Sequence, residues 1–214
     1  MADEPATICD RKKYDPHWEQ LLQRMAEIHV IHQAIMFSWP TAVDFLWEPR
    51  LIKDGKNPEL SVKGNCLHFG IEVKTPSLFD HSRKRSENPQ QLPARSLLHQ
   101  TLQRITSGDQ ETTLPRDNPI KDFLSSADGK FAGFRAIRRD FIGALVIVWD
   151  NFIFEPISSL LHPSCGLFTK NTFFRTKDGR PVLFPNVDIV VLIGHLHQFV
   201  RVCRIKPFLD SCRW

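Results

Sequence analysis

The fold is decided by the segment Leu67–Thr75, which reads LHFGIEVKT. Strand-forming residues dominate it and a proline follows directly, so we predict a β-strand that ends there. Side chains alternate along a strand, so Glu72 and Lys74 lie on one face and Ile71 and Val73 on the other. A carboxylate beside an ammonium at a strand end indicates either a surface ion pair or a functional site.

An earlier strand is predicted over Ala42–Leu51 (AVDFLWEPRL), and turn-forming residues follow it. We expect residues 42–51 and 67–75 to pair as an antiparallel hairpin. The intervening Leu60–Cys66 is either the beginning of the later strand or a short separate strand. In this register Asp44 lies across the ladder from Glu72 and Lys74. Carboxylates are depleted from strand interiors, so the three groups together favour a site.

Helices are predicted on either side of these strands. The first spans about Asp15–Phe37, and the second about Asn118–Arg139. Phe141–Trp149 is wholly apolar, which is typical of a strand buried on both faces. A further strand is predicted within Val187–Cys203, and residues 77–117 read as a long loop with a short helix at about 94–105. This order predicts an α/β fold with a mixed sheet. The apolar residues expected to form one buried stripe on the first helix are Trp18, Leu21, Leu22, Met25, Ile28, Ile35 and Met36.

Composition is typical of a globular protein. Of the 214 residues, 42% are hydrophobic and 24% are charged, which excludes disordered and collagen-like chains. The length fits a single domain over residues 1–214. We divide it into a core at about 15–151, an insertion at about 77–117 and a C-terminal extension at 152–214.

Several function classes lack support in the sequence. The longest apolar run has nine residues, about half of the ~20 needed to cross a bilayer. Five cysteines without a CxxC spacing argue against a disulfide framework and a cysteine zinc site. The N-terminus has no apolar signal segment, so we expect a cytoplasmic protein without membrane contact. The net charge of +4 permits a polyanionic partner.

A divalent metal explains why two acids and a lysine would converge. Mg²⁺ takes hard oxygen ligands, typically one or two carboxylates with water and substrate phosphate. Asp44, Glu72 and the Val73 carbonyl are the candidate ligands. Such an ion polarises a phosphodiester and lowers the pKa of bound water. Lys74 is the candidate group that orients or deprotonates the water, or neutralises charge on the phosphate.

Asp44 followed by Ile71-Glu72-Val73-Lys74 resembles the PD-(D/E)xK, or restriction-endonuclease-like, nuclease superfamily. The resemblance covers roughly residues 15–151. It implies a restriction-endonuclease-like core in which a mixed sheet is flanked by helices, with a long loop insertion and extra C-terminal elements. It also implies Mg²⁺-dependent hydrolysis of phosphodiesters, usually in DNA, with Asp44, Glu72 and Lys74 as catalytic residues and with Mn²⁺ able to substitute.

The same resemblance implies a homodimer or larger assembly, since cutting both strands usually needs two active sites. Defence against foreign DNA, repair and mobile-element processing are all open roles. The sequence departs from the family pattern in two places: no proline immediately precedes Asp44, and neither Glu19 nor Glu27 cleanly matches the glutamate that many members place on the first helix.

Two basic clusters are candidate phosphate contacts. Arg83, Lys84 and Arg85 follow the Glu-x-Lys strand within about ten residues. A second cluster, formed by Arg135, Arg138 and Arg139, either contacts phosphate or complements the helix dipole. The residues do not separate DNA from RNA.

Three other interpretations stay open. The trio can be a solvent-facing salt-bridge network, or it can belong to a catalytically inactive nucleic-acid-binding module of the same fold. A rival metallohydrolase would use His195, His197, Asp150 and Asp188. His29 and His32 on the first helix are either core histidines or metal ligands.

Overall fold

A computed structural model describes residues 17–50, 57–65, 67–77, 117–149 and 154–194. Their chain order alternates helices and strands, as in the predicted α/β arrangement. The elements are α1 (His17–Met36), β1 (Val43–Trp47), β2 (Leu60–Gly64), β3 (His68–Lys74), α2 (Asp117–Ile137), β4 (Phe141–Trp149), α3 (Phe154–Leu161) and β5 (Ile189–Gly194).

The five strands form one mixed sheet in the order β1-β2-β3-β4-β5. Strands β1, β2 and β3 are an antiparallel meander, whereas β4 is parallel to β3 and β5 is parallel to β4. Helix α2 connects β3 to β4 and therefore runs back along the sheet, from the end of β3 to the start of β4. The prediction of an α/β fold with a mixed sheet and flanking helices is confirmed.

Each face of the sheet has its own hydrophobic core. On one face, α1 packs through Ala26, Val30 and Ile31 against apolar residues of β2, β3 and β4. On the other, α2 packs against β4 and the segment around α3. The apolar strand 141–149 is buried almost throughout, which confirms its predicted position in the sheet. The buried members of the second core are Ile120, Leu124, Ala127, Phe131, Phe134, Phe141, Leu145, Ile147, Trp149, Leu160, Leu167 and Phe184.

The predicted hairpin between residues 42–51 and 67–75 is wrong. Residues 60–64 form a separate strand, β2, and this strand lies between β1 and β3. Asp44 is aligned with Lys63 on β2, and Lys63 is aligned with His68 at the start of β3. β1 does have an antiparallel partner, but that partner is β2.

The predicted buried stripe of α1 is also wrong. Leu21, Ile28, Ile35 and Met36 are about half exposed or more, and Met25 is 39% exposed. The side that docks carries smaller and β-branched residues instead. Apolar residues occupy two sides of α1, and helical spacing does not tell which of them meets the sheet. The predicted helix at 94–105 lies outside the described residues.

In the part of the chain that the structure describes, no helix is both long and apolar enough to span a bilayer.

Candidate active site

Glu72 and Lys74 project together from the end of β3. Glu72 is fully buried, and its Oε1 lies 2.6 Å from the Nζ of Lys74, whose side chain is 24% exposed. They share the face of the sheet that α2 covers, because Ile71 and Val73 belong to the core on the α1 side. The carboxylate is therefore shielded while the lysine reaches solvent.

A second lysine reaches the same carboxylate from α2. The Nζ of Lys130 donates hydrogen bonds to both oxygens of Glu72, at 2.7 Å and 2.8 Å. Lys130 is only 17% exposed and also lies 3.6 Å from Oε1 of Glu59. One ammonium group thus bridges two carboxylates, and the four side chains form a compact cluster of two acids and two bases.

Glu59 is the acid that faces Glu72. Leu60, the first residue of β2, is aligned with Ile71 in the β2–β3 ladder, so Glu59 immediately before it stands opposite Glu72. Burial raises the pKa of the Glu59 carboxyl, and the negative charge of Glu72 raises it further, while Lys130 acts in the opposite direction. Two carboxylates held this closely with little solvent are suited to share a cation.

Asp44 does not belong to this cluster. It is exposed on the edge strand β1, in the same row as His68. This row lies four residues from Glu72 along the strands, a distance of about 13 Å. Asp44 is also two strands to the side of β3, a distance of about 10 Å. The assignment of Asp44 as a catalytic and metal-binding partner of Glu72 and Lys74 rested on the wrong strand pairing.

Two glutamates of α1 lie near the same end of β3. Glu19 is 4% exposed, and its Oε2 accepts a hydrogen bond of 2.8 Å from the hydroxyl of Ser77, which follows β3. Glu27 pairs with Arg24 at 2.7 Å. The charge of Glu27 also raises the pKa of Glu59, so Glu27 is the α1 acid whose field reaches the cluster.

The other candidates are placed elsewhere or lie outside the described residues. Arg83, Lys84, Arg85, Asp150, His195 and His197 are all outside them. Asp188 forms an ion pair with Arg135 and accepts a hydrogen bond of 2.8 Å from the Gly143 amide, which ties the start of β5 to β4. Arg138 pairs with Asp140 at 2.8 Å on the surface.

The α1 histidines are not a pair of core residues, because His29 is half-buried and His32 is exposed. Burial lowers the pKa of His29, and the neighbouring His32 adds to this shift. Across the described ranges, no three His, Cys, Asp or Glu side chains form a group that could hold a metal ion.

The donor set nevertheless suits Mg²⁺. This ion is usually bound through one or two carboxylates and completes its shell with water and phosphate oxygens. Glu59, immediately before β2, and Glu72, on β3, supply two hard carboxylates, and the backbone carbonyl of Val73 follows Glu72 directly. Lys130 and Lys74 supply positive charge beside that position.

Sequence reasoning missed Glu59 and Lys130. A signal for Glu59 was present, because Pro58-Glu59 immediately precedes a strand and a proline–acid pair opens the motif of the nuclease superfamily that the sequence resembles. Lys130 gave no comparable signal: it is 58 residues from Glu72 in the chain and reaches it only because α2 crosses over the sheet.

Comparison of the chain with protein-family models, with curated proteins and with solved structures found no match.

Proposed function

We propose that this protein is a Mg²⁺-dependent nuclease that hydrolyses phosphodiester bonds in DNA, with Glu59, Glu72 and Lys74 at its active site. The observation that carries the proposal is the cluster at the ends of β2 and β3. Its two carboxylates face each other, and the lysine two residues after Glu72 is the most exposed of the four side chains. Glu59 takes the place that the sequence assigned to Asp44.

The arrangement of elements supports the same proposal. In PD-(D/E)xK nucleases the acid and the Glu-x-Lys motif lie on adjacent strands of a mixed sheet between two helices. Here the order is α1, the meander β1-β2-β3, the crossover helix α2 and the parallel strand β4. With Pro58-Glu59 before β2, the chain also contains the proline that Asp44 lacked.

Each residue then has a defined task. Glu59, Glu72 and the Val73 carbonyl would hold Mg²⁺, which supplies Lewis-acid activation of the phosphate and of a bound water. Lys74 orients the attacking water and offsets negative charge that develops on the phosphate. Lys130 holds the carboxylate of Glu72 in place from the α2 side through hydrogen bonds to both of its oxygens.

A plasmid-cleavage assay in Mg²⁺ or EDTA tests the proposal. We expect the wild-type protein to nick or linearise DNA only with the metal. Glu59→Gln, Glu72→Gln and Lys74→Met should each reduce the rate by 10²-fold or more, on the order of a lost catalytic group. Asp44→Asn is the matched control and should cut normally. Full activity in Glu59→Gln, together with loss in Asp44→Asn, would contradict the site.

The second candidate is a catalytically inactive nucleic-acid-binding module of the same fold. It is favoured by the two hydrogen bonds from Lys130, which engage both oxygens of Glu72 and resemble a purely structural ion cluster. Such a module would bind DNA equally well in EDTA and would keep its affinity in Lys74→Met. The predicted homodimer and the role in defence against foreign DNA stay predictions.

A further inference from the structure

A basic hairpin, defined here as residues 170–180, precedes β5. It contains four basic residues, Lys170, Arg175, Lys177 and Arg180, and a single acid, Asp178. All five are exposed. Asp178 pairs with Arg180 at 3.2 Å, but both side chains are more than two-thirds exposed, so water screens this pair strongly. The tip therefore presents a net positive charge to solvent.

The hairpin has a fixed shape. The Thr176 amide donates to the Arg180 carbonyl at 2.8 Å, and the Gly179 amide donates to the Thr176 carbonyl at 2.9 Å. Gly179 has a φ of 76°, which favours glycine at this turn position. A bridge between Arg175 and Pro181 closes the base of the turn.

Arg175 holds the loop from inside rather than facing a partner. Its guanidinium donates to three carbonyls, those of Thr172 at 3.0 Å, Gly179 at 2.8 Å and Lys170 at 3.0 Å. The remaining cations, Lys170, Lys177 and Arg180, are thus presented on a preorganised backbone. Preorganisation lowers the entropy lost when such groups bind a ligand.

The hairpin also lies at the active-site end of the sheet. The ring of Phe174, at its base, is 5.4 Å from the Nζ of Lys121 on α2. Lys121 is nine residues, about 14 Å along the helix, before Lys130. Since α2 begins near the end of β3, the hairpin lies toward the end where Lys74 emerges. Successive phosphates on one strand of B-DNA are ~3.4 Å apart along the helix axis. A duplex bound at Lys74 therefore extends past the separation of about 14 Å between Lys130 and Lys121.

We propose that the basic hairpin binds the phosphate backbone of duplex DNA beside the active site, through Lys177 and Arg180. This inference rests on the proposed nuclease function, because it assumes a duplex placed at Lys74. The contacts are to backbone phosphates, so they hold the duplex in position without reading its sequence.

The test is binding of the full-length protein to a short fluorescent duplex in EDTA, where no hydrolysis occurs, measured by anisotropy at several salt concentrations. For Lys177→Gln/Arg180→Gln we expect roughly tenfold weaker binding and a slope of log K against log salt that is smaller by about two, since each lost phosphate contact removes about 0.9. The substitutions preserve every backbone hydrogen bond of the turn.

Lys63→Glu is the matched control, because it lowers the net charge by the same two units in a different place. Lys63 is exposed and is aligned with His68 at the start of β3, about 20 Å along the strand from Lys74. This variant should bind nearly as tightly as the wild type, with an unchanged slope. Equal weakening in both variants would show a net-charge effect and overturn the inference.

Other outcomes separate the inference from the proposed function. If the wild type binds and cuts DNA but the hairpin variant keeps its affinity and slope, the inference fails while the nuclease proposal stands. If the hairpin variant weakens binding of a double-stranded RNA probe and leaves DNA binding unchanged, the assignment to DNA is wrong. A wild type that neither binds nor cuts DNA in Mg²⁺ overturns both.

Discussion

At the scale of single residues, Glu72 sets the requirements for everything around it. A carboxylate without solvent contact is strongly unfavourable unless other groups compensate its charge. Lys74 and Lys130 provide this compensation at 2.6 Å and 2.7 Å. The pairing makes Glu72 tolerable in the fold but does not make it a source of stability, because removing one partner leaves the charge partly unbalanced.

Lys130→Met should therefore destabilise the protein in the absence of divalent metal, by about 2 kcal/mol in urea-induced unfolding. Lys74 remains to balance Glu72, which keeps the loss below that of an unpaired charge. Excess Mn²⁺ should restore most of the difference, because the ion replaces the missing positive charge.

Lys63→Met is the matched control for this variant. Lys63 is exposed on β2, so its removal should change the unfolding free energy by less than about 0.5 kcal/mol. A Lys130→Met protein as stable as the control would show that Glu72 does not depend on α2 for its charge balance.

His68 gives the stability a pH dependence. Burial lowers its pKa, the charges of Arg138 and Lys63 lower it further, and Asp140 acts in the opposite direction. As the pH falls below the ordinary value near 6.5, the unfolded chain binds a proton before the folded chain does, so stability falls. It stops falling below the folded-state pKa.

We expect His68→Gln to lose less stability than the wild type between about pH 7.5 and about pH 5.5, measured by urea unfolding at both values. His68→Gln also loses the contact between His68 and the Ser61 hydroxyl, which is 3.0 Å in the wild type. The measured quantity is the change in stability between the two pH values, so a loss that is equal at both values cancels. An identical dependence in the two proteins would contradict the assignment.

The site shows what a sequence can and cannot specify at this scale. Alternation along β3 is local, so it correctly put Glu72 beside Lys74. Asp44 was assigned through the pairing of two distant strands, where one unrecognised strand displaces the partner entirely. Glu59 was assigned to no predicted strand. Lys130 depended on how a crossover helix passes over the sheet, which residue spacing does not encode.

At the scale of elements, the contact between α2 and β4 depends on a glycine. A Cβ on Gly143 would meet the Asn186 carbonyl and the ring of Phe131 well inside van der Waals contact. Asn186 is itself held on α2 by Asp128, whose Oδ1 accepts from the Asn186 amide at 2.8 Å. Neither neighbour can therefore move away easily.

Gly143→Ala should destabilise the protein by about 1–3 kcal/mol through overpacking. Gly129→Ala provides the opposite case, because Gly129 is in the interior of α2 and nothing lies within 4 Å of an added Cβ. It should stabilise the helix by about 0.5–1 kcal/mol. Urea unfolding of both variants tests the packing, and changes of the same sign would contradict it.

Element types were predicted better than element partners. The helices at 17–36 and 117–137 and the strand at 141–149 have strong periodicity or a long apolar run. Gly129 and Gly133 did not break α2, since its other face is fully packed. The docking side of α1 was missed because apolar residues lie on two of its sides, and only the shape of the sheet selects between them.

At the scale of the whole molecule, cation binding at the proposed site would be coupled to folding. Glu59 lies immediately before β2 and Glu72 lies on β3, while Lys130 comes from the helix that covers this face of the sheet. Unfolding separates all three, so an ion held by both carboxylates binds the folded state alone. Such an ion stabilises the fold by RT ln(1 + [ion]/Kd), about 2.7 kcal/mol at a hundredfold excess over Kd.

Unfolding in urea with and without Mn²⁺ therefore measures the site independently of catalysis. The wild type should gain stability with increasing Mn²⁺, and Asp44→Asn should gain equally, because Asp44 lies about 13 Å along the strands from the cluster. Glu59→Gln and Glu72→Gln should gain little, since each loses one of the two carboxylates. In the absence of metal, Glu59→Gln should also be more stable than the wild type, because it removes a carboxyl group whose pKa is raised by burial and by the nearby charge of Glu72. If Mn²⁺ stabilises Glu59→Gln as much as the wild type, the ion binds elsewhere. If Mn²⁺ does not stabilise Asp44→Asn, then Asp44 contributes to the ion site, contrary to its position in the sheet.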